Sequence, residues 1–343
     1  MSETEQTAAH SESNLSSSDS KRLKLMKRLS IIAICLSAVA IVGQIFVFAT
    51  DKSNDDEIYR KALQANYRVY SPVIPDTVDF CGEKVPLNTF YVKESLDREI
   101  LSNTYFQSNM MLCLKRANRY FPIIEPILKK NGVPDDFKYL AVIESNLTNA
   151  TSPAKAQGIW QFMKATATSY GMEVNDDIDM RNNIEVATEA ACKYLKSAYN
   201  RFGSWTSAAA SYNCGEGGLN SRLTSQGVRS YYDVRINAET SRYVYRIIAV
   251  KLIMSHPQQF GYYVRKCDLY PQIPTRTVEL SGQNVNLVSF AKQNGTTYKM
   301  LRELNPWLVN DKVTNKMGKT YQVKIPKDNK PVRERSTAMV THM

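Results

Sequence analysis

Apolar and polar positions change rhythm several times along the chain. Residues 1–28 hold few apolar positions and end on the basic stretch KRLKLMKR, a composition that predicts a disordered tail. Residues 29–50 then run apolar without a charge, long enough to cross a bilayer. Residues 51–79 turn polar and read as a linker, and residues near 80–90 show no clear period. From about Ser95 the spacing becomes helical. Ile100, Tyr105, Met111, Leu112, Leu114 and Tyr120 fall near helical intervals, with Pro122 and Gly132 as punctuation. GVPDDFKYLAVIES predicts a helix with Pro134 in its first turn and Asp135 and Asp136 at its positive end. Phe137, Leu140, Ala141 and Glu144 share one face of it. A further helix is expected from about Gly158 to Tyr170, stopping at Gly171.

NNIEVATEAACKYLKSAYNRFG is the clearest helix. Its buried stripe is Ile184, Ala187, Ala191, Leu195, Ala198 and Phe202; Asn182 or Asn183 is the N-cap and Gly203 the stop. A short helix over 206–212 and a last one over 239–254 complete a mostly helical domain at 80–256. A linker follows at 257–275. In residues 276–327, RTVELSG and TYQVKIP read as strands around helical VNLVSFAKQNG and TTYKMLRELNP, a small β-α-α-β unit. Residues 328–343 form a polar tail. The fold class is mainly α, with an N-terminal membrane helix.

Charge and cysteine usage narrow the setting. The basic flank before residues 29–50 predicts a cytoplasmic N-terminus, with the rest outside the inner membrane in the periplasm. A cleaved signal peptide is the alternative, with Val47-Phe48-Ala49 as its small-x-small site, but the apolar run is longer than a usual signal core. The formal charge of +11 suits nucleic acid, anionic lipid or an acidic wall polymer. No nucleic-acid motif accompanies it, so nucleic acid is not expected as a partner. Five of the six cysteines (Cys81, Cys113, Cys192, Cys214 and Cys267) lie beyond the apolar run. None has zinc spacing, and the sequence names no disulfide pairs.

Few residues offer chemistry. Glu144 ends the apolar run Leu140-Ala141-Val142-Ile143. In an apolar pocket its carboxyl would stay protonated near neutral pH, ready to donate; as an exposed helix-end acid it would do nothing, and spacing alone favours that view. Asn175, Asp177 and Asp179 fit a calcium loop poorly, because Met180 and Val186 stand where Gly and Glu are needed. His10, His256 and His342 cannot gather in one domain, and Ser145 has no histidine to activate it. No metal or cofactor is expected. Tyr212-Asn213-Cys214-Gly215-Glu216-Gly217-Gly218 reads first as a glycine-rich helix exit.

Taken in order, IESNLTNATSPAKAQGIWQFMKATA, SYNCGEG and ETSRYVYRI resemble the lytic transglycosylase family with a goose-lysozyme-like fold, in particular the membrane-bound lytic murein transglycosylase D group. The resemblance covers about residues 90–256. It implies a lysozyme-like helical domain that cleaves the β-1,4 bond between N-acetylmuramic acid and N-acetylglucosamine of peptidoglycan glycan strands, leaving 1,6-anhydro ends. Glu144 matches the single acid/base and Ser145 the serine beside it. Gly158, Ile159, Trp160 and Gln161 match a groove-lining motif. Tyr212 and Asn213 match a pair whose Tyr contacts the catalytic Glu, and Glu239 and Tyr243 match the start of the last helix. Gln161, Tyr212 and Asn213 are expected to orient Glu144 and the substrate N-acetyl group. Lys164, Ser211 and Cys214 depart from the family pattern without removing a catalytic group. Most glycosidases use two carboxylates, and Glu173, Asp177, Glu216 and Glu239 are the candidates for a second. Residues 276–327 resemble a LysM glycan-binding repeat, with Ser281-Gly282-Gln283-Asn284 replacing its usual first turn. The alternatives are a membrane-tethered glycan-binding protein with an inactive lysozyme-like domain, and a hydrolytic lysozyme.

Overall fold

The computed structural model describes residues 69–328, with Leu29, 56–58 and 60–62. The expected membrane span, apart from Leu29, and both terminal tails lie outside the described residues. Among those described, no helix is long and apolar enough to cross a membrane.

From residue 71 onward the chain is mainly helical. It opens with a hairpin of β1 (Asp79–Phe80) and β2 (Glu83–Lys84), turned at Cys81 and Gly82, both at positive φ. Eight α-helices follow: α1 (Phe90–Tyr105), α2 (Gln107–Lys130), α3 (Lys138–Ser145), α4 (Lys164–Ser169), α5 (Ile184–Phe202), α6 (Trp205–Cys214), α7 (Glu216–Gln226) and α8 (Ala238–Ser255). Helix α8 packs on α1, α3 and α6, while α5 packs on α2 and α6. Asn183 caps α5 by accepting from the Val186 amide, and Gly203 ends it at φ +67, where a left-handed residue is needed.

Two sequence expectations change. Pro122 does not interrupt its helix: α2 runs through both Pro122 and Pro126. Proline inside a helix costs about 3 kcal/mol; here Ile124 and Leu128, both wholly buried on α2, offset that cost through packing. The helix expected from Gly158 begins only at Lys164. Residues 157–162 instead close a tight turn in which Gln157 and Phe162 exchange backbone hydrogen bonds, with Gly158 at φ +82 and Gln161 at φ +49.

The C-terminal unit pairs β3 (Thr275–Leu280) antiparallel with β6 (Tyr321–Pro326), from Thr275 opposite Pro326 to Leu280 opposite Tyr321. Between them lie α9 (Leu287–Gln293) and α10 (Tyr298–Leu304), flanked by a short pair of β4 (Val285–Asn286) and β5 (Lys312–Val313) that sequence periodicity missed. Its small core contains Leu280, Leu301, Trp307, Val323 and Ile325, and also Ile178 from the larger helical region. Residues 257–275, expected as a linker, are bonded to α1 and α2 as a strap. The Tyr270 amide donates to Lys115 O, Asn118 and Arg119 donate to Tyr270 O and Pro271 O, and buried Tyr262 donates to Thr104 O.

The N-terminal hairpin has a structural task. Glu83 receives hydrogen bonds from the Trp205 amide at 2.5 Å, the Thr206 amide at 2.9 Å, and the hydroxyls of Ser204 and Thr206. A carboxylate therefore caps the N-terminus of α6, where unpaired amides and the helix dipole favour negative charge. Helix α6 ends in Tyr212 and Asn213. Glu83→Ala is expected to lower unfolding free energy by about 1–3 kcal/mol, measured by urea denaturation, while Glu83→Gln recovers part of the loss.

Candidate active site

Glu144 sits in the last turn of α3, whose Leu140, Ala141 and Val142 are buried. Asn146 closes the helix in a left-handed conformation and bonds back to Val142 O. Glu144 is itself half-buried. Burial pushes its carboxyl up to about 7, because the charged form loses its hydration. Tyr243 from α8 donates its hydroxyl to Glu144 Oε1 and pulls back toward the carboxylate. Glu239 raises the carboxyl again and Arg246 lowers it. Residues 239, 243 and 246 stand four and three positions apart, so one face of α8 presents all three groups to Glu144.

Arg246 is held from behind. Glu99 on α1 is 1% exposed and lies 3.7 Å from the Arg246 guanidinium. It also accepts from Arg242 Nε at 2.6 Å and from Arg98 Nε at 3.1 Å. A buried carboxylate needs such partners. Sequence reasoning missed Glu99, Arg242 and Arg246. The spacing of Arg246 from Tyr243 was a usable signal for one of them; nothing local marked Glu99.

The turn at 158–161 stands against this acid in a different way from the one expected. Ile159 and Trp160 do not line a groove: they are 2% and 0% exposed, and Trp160 Nε1 donates to Thr188 in the core. Gly158 is buried too, and a Cβ there would meet Arg181 O at 1.9 Å. The backbone carries the contacts. Ser145, expected to bind substrate, is buried and donates at 2.8 Å to Ile159 O. Tyr212 donates at 2.8 Å to Trp160 O. Gln161 is half-buried, and its amide donates to Ala150 O and Gly158 O.

The three residues expected to orient Glu144 by hydrogen bonds are therefore bonded elsewhere. Tyr243, not Tyr212, holds the carboxyl, although the Glu144 carboxylate lies close enough to Tyr212 to help hold its phenol neutral. Asn213 accepts from Thr240 at 2.7 Å and donates to Glu239 at 3.3 Å, tying the end of α6 to the start of α8. Tyr243 is 3% exposed, so it acts through Glu144, whereas Glu239 is exposed.

The candidate second carboxylates separate clearly. Glu173 receives hydrogen bonds from Lys319 and Tyr321, and Asp177 from Thr314 and Asn310, all in the C-terminal unit. Glu216 faces Arg201 at 3.5 Å. Of the four, Glu239 alone acts on Glu144. Among the described residues no group of His, Cys, Asp or Glu could hold a metal ion. The five cysteines from Cys81 onward are free thiols, with Cys113 pushed up to about 11 and Cys192 to about 12 by burial.

Comparison with known proteins identifies two regions of the chain. Residues 121–234 match the Transglycosylase SLT domain, and residues 276–329 match the Soluble lytic transglycosylase C-terminal LysM-like domain. The chain is 29% identical over 152 residues to the membrane-bound lytic murein transglycosylase D of Escherichia coli K12, covering 43% of this chain and 34% of that protein. The protein of the same name from E. coli O6:H1 matches equally. A putative tributyltin chloride resistance protein of Alteromonas sp. is 31% identical over 104 residues, covering 30% of this chain and 50% of that one. The chain thus spans from a third to half the length of these relatives. Its central helices are a transglycosylase SLT domain and its C-terminal unit is a LysM-like domain of the lytic transglycosylase type, homologous in part to the E. coli membrane-bound lytic murein transglycosylase D.

Proposed function

We propose that the protein is a peptidoglycan lytic transglycosylase in which Glu144 is the single general acid/base. The observation that carries this reading is the state of Glu144: a half-buried carboxyl pushed up to about 7, within reach of one phenol donor. Protonated Glu144 donates to the glycosidic oxygen between N-acetylmuramic acid and N-acetylglucosamine as positive character develops at C1. The substrate's own N-acetyl oxygen stabilises that carbon. The Glu144 carboxylate, steadied by the Tyr243 hydroxyl, then takes the proton from the muramic C6 hydroxyl. That oxygen closes onto C1, giving a 1,6-anhydro end and restoring the acid. General acid/base catalysis of this kind contributes about a hundred- to ten-thousandfold. Exposed Glu239 stands at the edge of the site and favours the protonated form of Glu144.

In this reading residues 80–256 form the catalytic domain, residues 29–50 tether it to the inner membrane, and it works on wall glycan in the periplasm. The E. coli relative's name, membrane-bound, supports the membrane tether. Glu144→Gln is expected to lower turnover of purified sacculi by at least about a hundredfold. Mass analysis of the wild-type digest should return anhydro ends; reducing ends only would assign a hydrolytic lysozyme with Glu239 as second carboxylate, wild-type turnover no higher than background would assign an inactive binding domain, and undiminished turnover in E144Q would overturn Glu144 as the acid.

The first step needs the protonated acid, so kcat/KM should fall about tenfold per unit as pH rises past about 7. The Tyr243 hydrogen bond favours the carboxylate. Tyr243→Phe should therefore move this fall upward by about one pH unit, read from the pH profile on soluble glycan.

The same carboxyl links stability to pH. Its folded value of about 7 lies above the ordinary 4.5, so the folded state binds the extra proton. Stability is then greatest below about 4.5 and declines as pH rises through about 7. Glu144→Gln removes the cost of burying the charge. It should raise unfolding free energy by about 1–3 kcal/mol at pH 8, after allowance for partial solvent screening, and leave it unchanged at pH 4.5. Thermal melts at the two pH values give the comparison.

A further inference from the structure

We propose that the LysM-like unit works as a brace for the acid rather than as a mobile glycan-binding module: it clamps residues 173–179, which seat Arg181 and, through it, the 157–162 turn against Glu144. The proposal deepens the reading of Glu144 as the acid and rests on it for its activity readout.

The clamp is built from both sides. Asp177 Oδ2 accepts from the Thr314 amide at 2.9 Å and from the Thr314 hydroxyl, and its Oδ1 accepts from Asn310 Nδ2 at 3.1 Å. Asn310 also donates to Asp176 O. Backbone bonds run in both directions, from Val309 N to Asp177 O and from Asp179 N to Trp307 O, each 2.8 Å. Between them Ile178, 1% exposed, is buried in the LysM-like core. Glu173 accepts from Tyr321 at 3.1 Å and Lys319 at 3.0 Å, and Lys324 pairs with Glu185 at the start of α5. The segment 173–179 thus fills the face between the α10–β5 connection and β6, and the strap at 257–275 fixes the chain leading into β3.

From the clamp the contacts continue inward without a gap. Asp179 and Arg181 are both 5% exposed and form a bidentate pair, at 2.9 Å to Nε and 2.6 Å to Nη2. Arg181 Nη1 donates to Lys155 O at 3.0 Å and Phe162 O at 3.2 Å, bracketing the turn. Gly158 lies so close to Arg181 O that a side chain there would collide with it. On the other side of the turn, Ile159 O and Trp160 O receive Ser145, which follows Glu144, and Tyr212. Breaking a buried pair such as Asp179–Arg181 leaves an uncompensated charge, so this path has little freedom to slacken at one point alone.

The test uses the full chain carrying T314V, N310A and Y321F together, substitutions in the LysM-like unit that remove side-chain bonds to Asp177 and Glu173 and touch nothing near Glu144. Hydrogen exchange by mass spectrometry should show residues 155–162 exchanging at least about tenfold faster, with α8 unchanged. On short soluble glycan, kcat should fall about tenfold with KM altered less than about twofold, and pelleting with sacculi should be unaffected. Unchanged exchange at 155–162 with unchanged kcat would overturn the brace, as would lost pelleting with kcat intact, which would make the unit a glycan tether. The exchange measurement does not involve turnover, so it judges the brace separately from the assignment of Glu144, which E144Q tests.

Discussion

A carboxyl that must hold its proton near neutral pH cannot stand beside an unopposed cation. A guanidinium about 4 Å from a carboxylate favours the charged form by about 4 kcal/mol at an effective dielectric near 20. The elevation of Glu144 from 4.5 to about 7 corresponds to roughly 3 kcal/mol, so such a neighbour would cancel it. Arg246 is the cation that acts on Glu144, but its ion pair is with Glu99, at 3.7 Å, and its pull on the Glu144 carboxyl is outweighed by burial. Glu99 is in turn satisfied by Arg242 and Arg98. The fold therefore surrounds the site with charges and assigns most of them to one another. What reaches Glu144 is a single phenol bond, a tempered cation from Arg246 and a modest opposing push from Glu239. The packing of α1 against α8 matters to the proposed chemistry for this reason: it carries Glu99 to the Arg pair.

Position is controlled through main-chain atoms. The 157–162 turn contributes two carbonyls, Ile159 O and Trp160 O, to Ser145 and Tyr212, while its own large side chains are anchored in the core. Buried Ile159 and Trp160 fix the turn's height, and Gly158 lets it approach Arg181 closely enough for the guanidinium to bond on both sides. A substitution at Trp160 would thus act on Glu144 through a carbonyl. The tryptophan has no exposed surface with which to touch a glycan.

Much of the helical layout was legible in the sequence because local signals and tertiary demands agree there. Asn183 and Gly203 bound α5 as their residue types require, and Pro134 with two acids opens the 3-10 turn that leads into α3. Legibility failed where distant residues overrule local preference. Pro122 and Pro126 remain helical because α2 is packed on two sides. The turn at Gly158 looked helical because Ile159, Trp160 and Phe162 are apolar at short spacing, yet its shape is dictated by Arg181, more than twenty positions away. At the candidate site, Glu144 and Tyr243 were named, but the bond between them was assigned to Tyr212. The motif fixes which residues gather; it does not say which phenol is longer reached by packing and which is spent on a backbone carbonyl.

Asp177 shows the same limit and also what it conceals. Within its own segment it reads as a solvated acid or a helix cap. In the fold it caps Thr314, 137 positions later, and its neighbour Ile178 belongs to the other unit's core. A glycan-binding module on a loose linker helps an enzyme by raising local substrate concentration, an advantage that depends on linker reach. Here the connecting segment is bonded along α2 by Asn118, Arg119 and the Tyr270 amide, which removes that reach. What a fixed unit can supply is order: it holds Asp179, Asp179 holds Arg181, and Arg181 holds the turn. The entropy of keeping a partly exposed, largely polar segment such as 173–177 in one conformation is then met by contacts made once, on folding, rather than at each encounter with substrate.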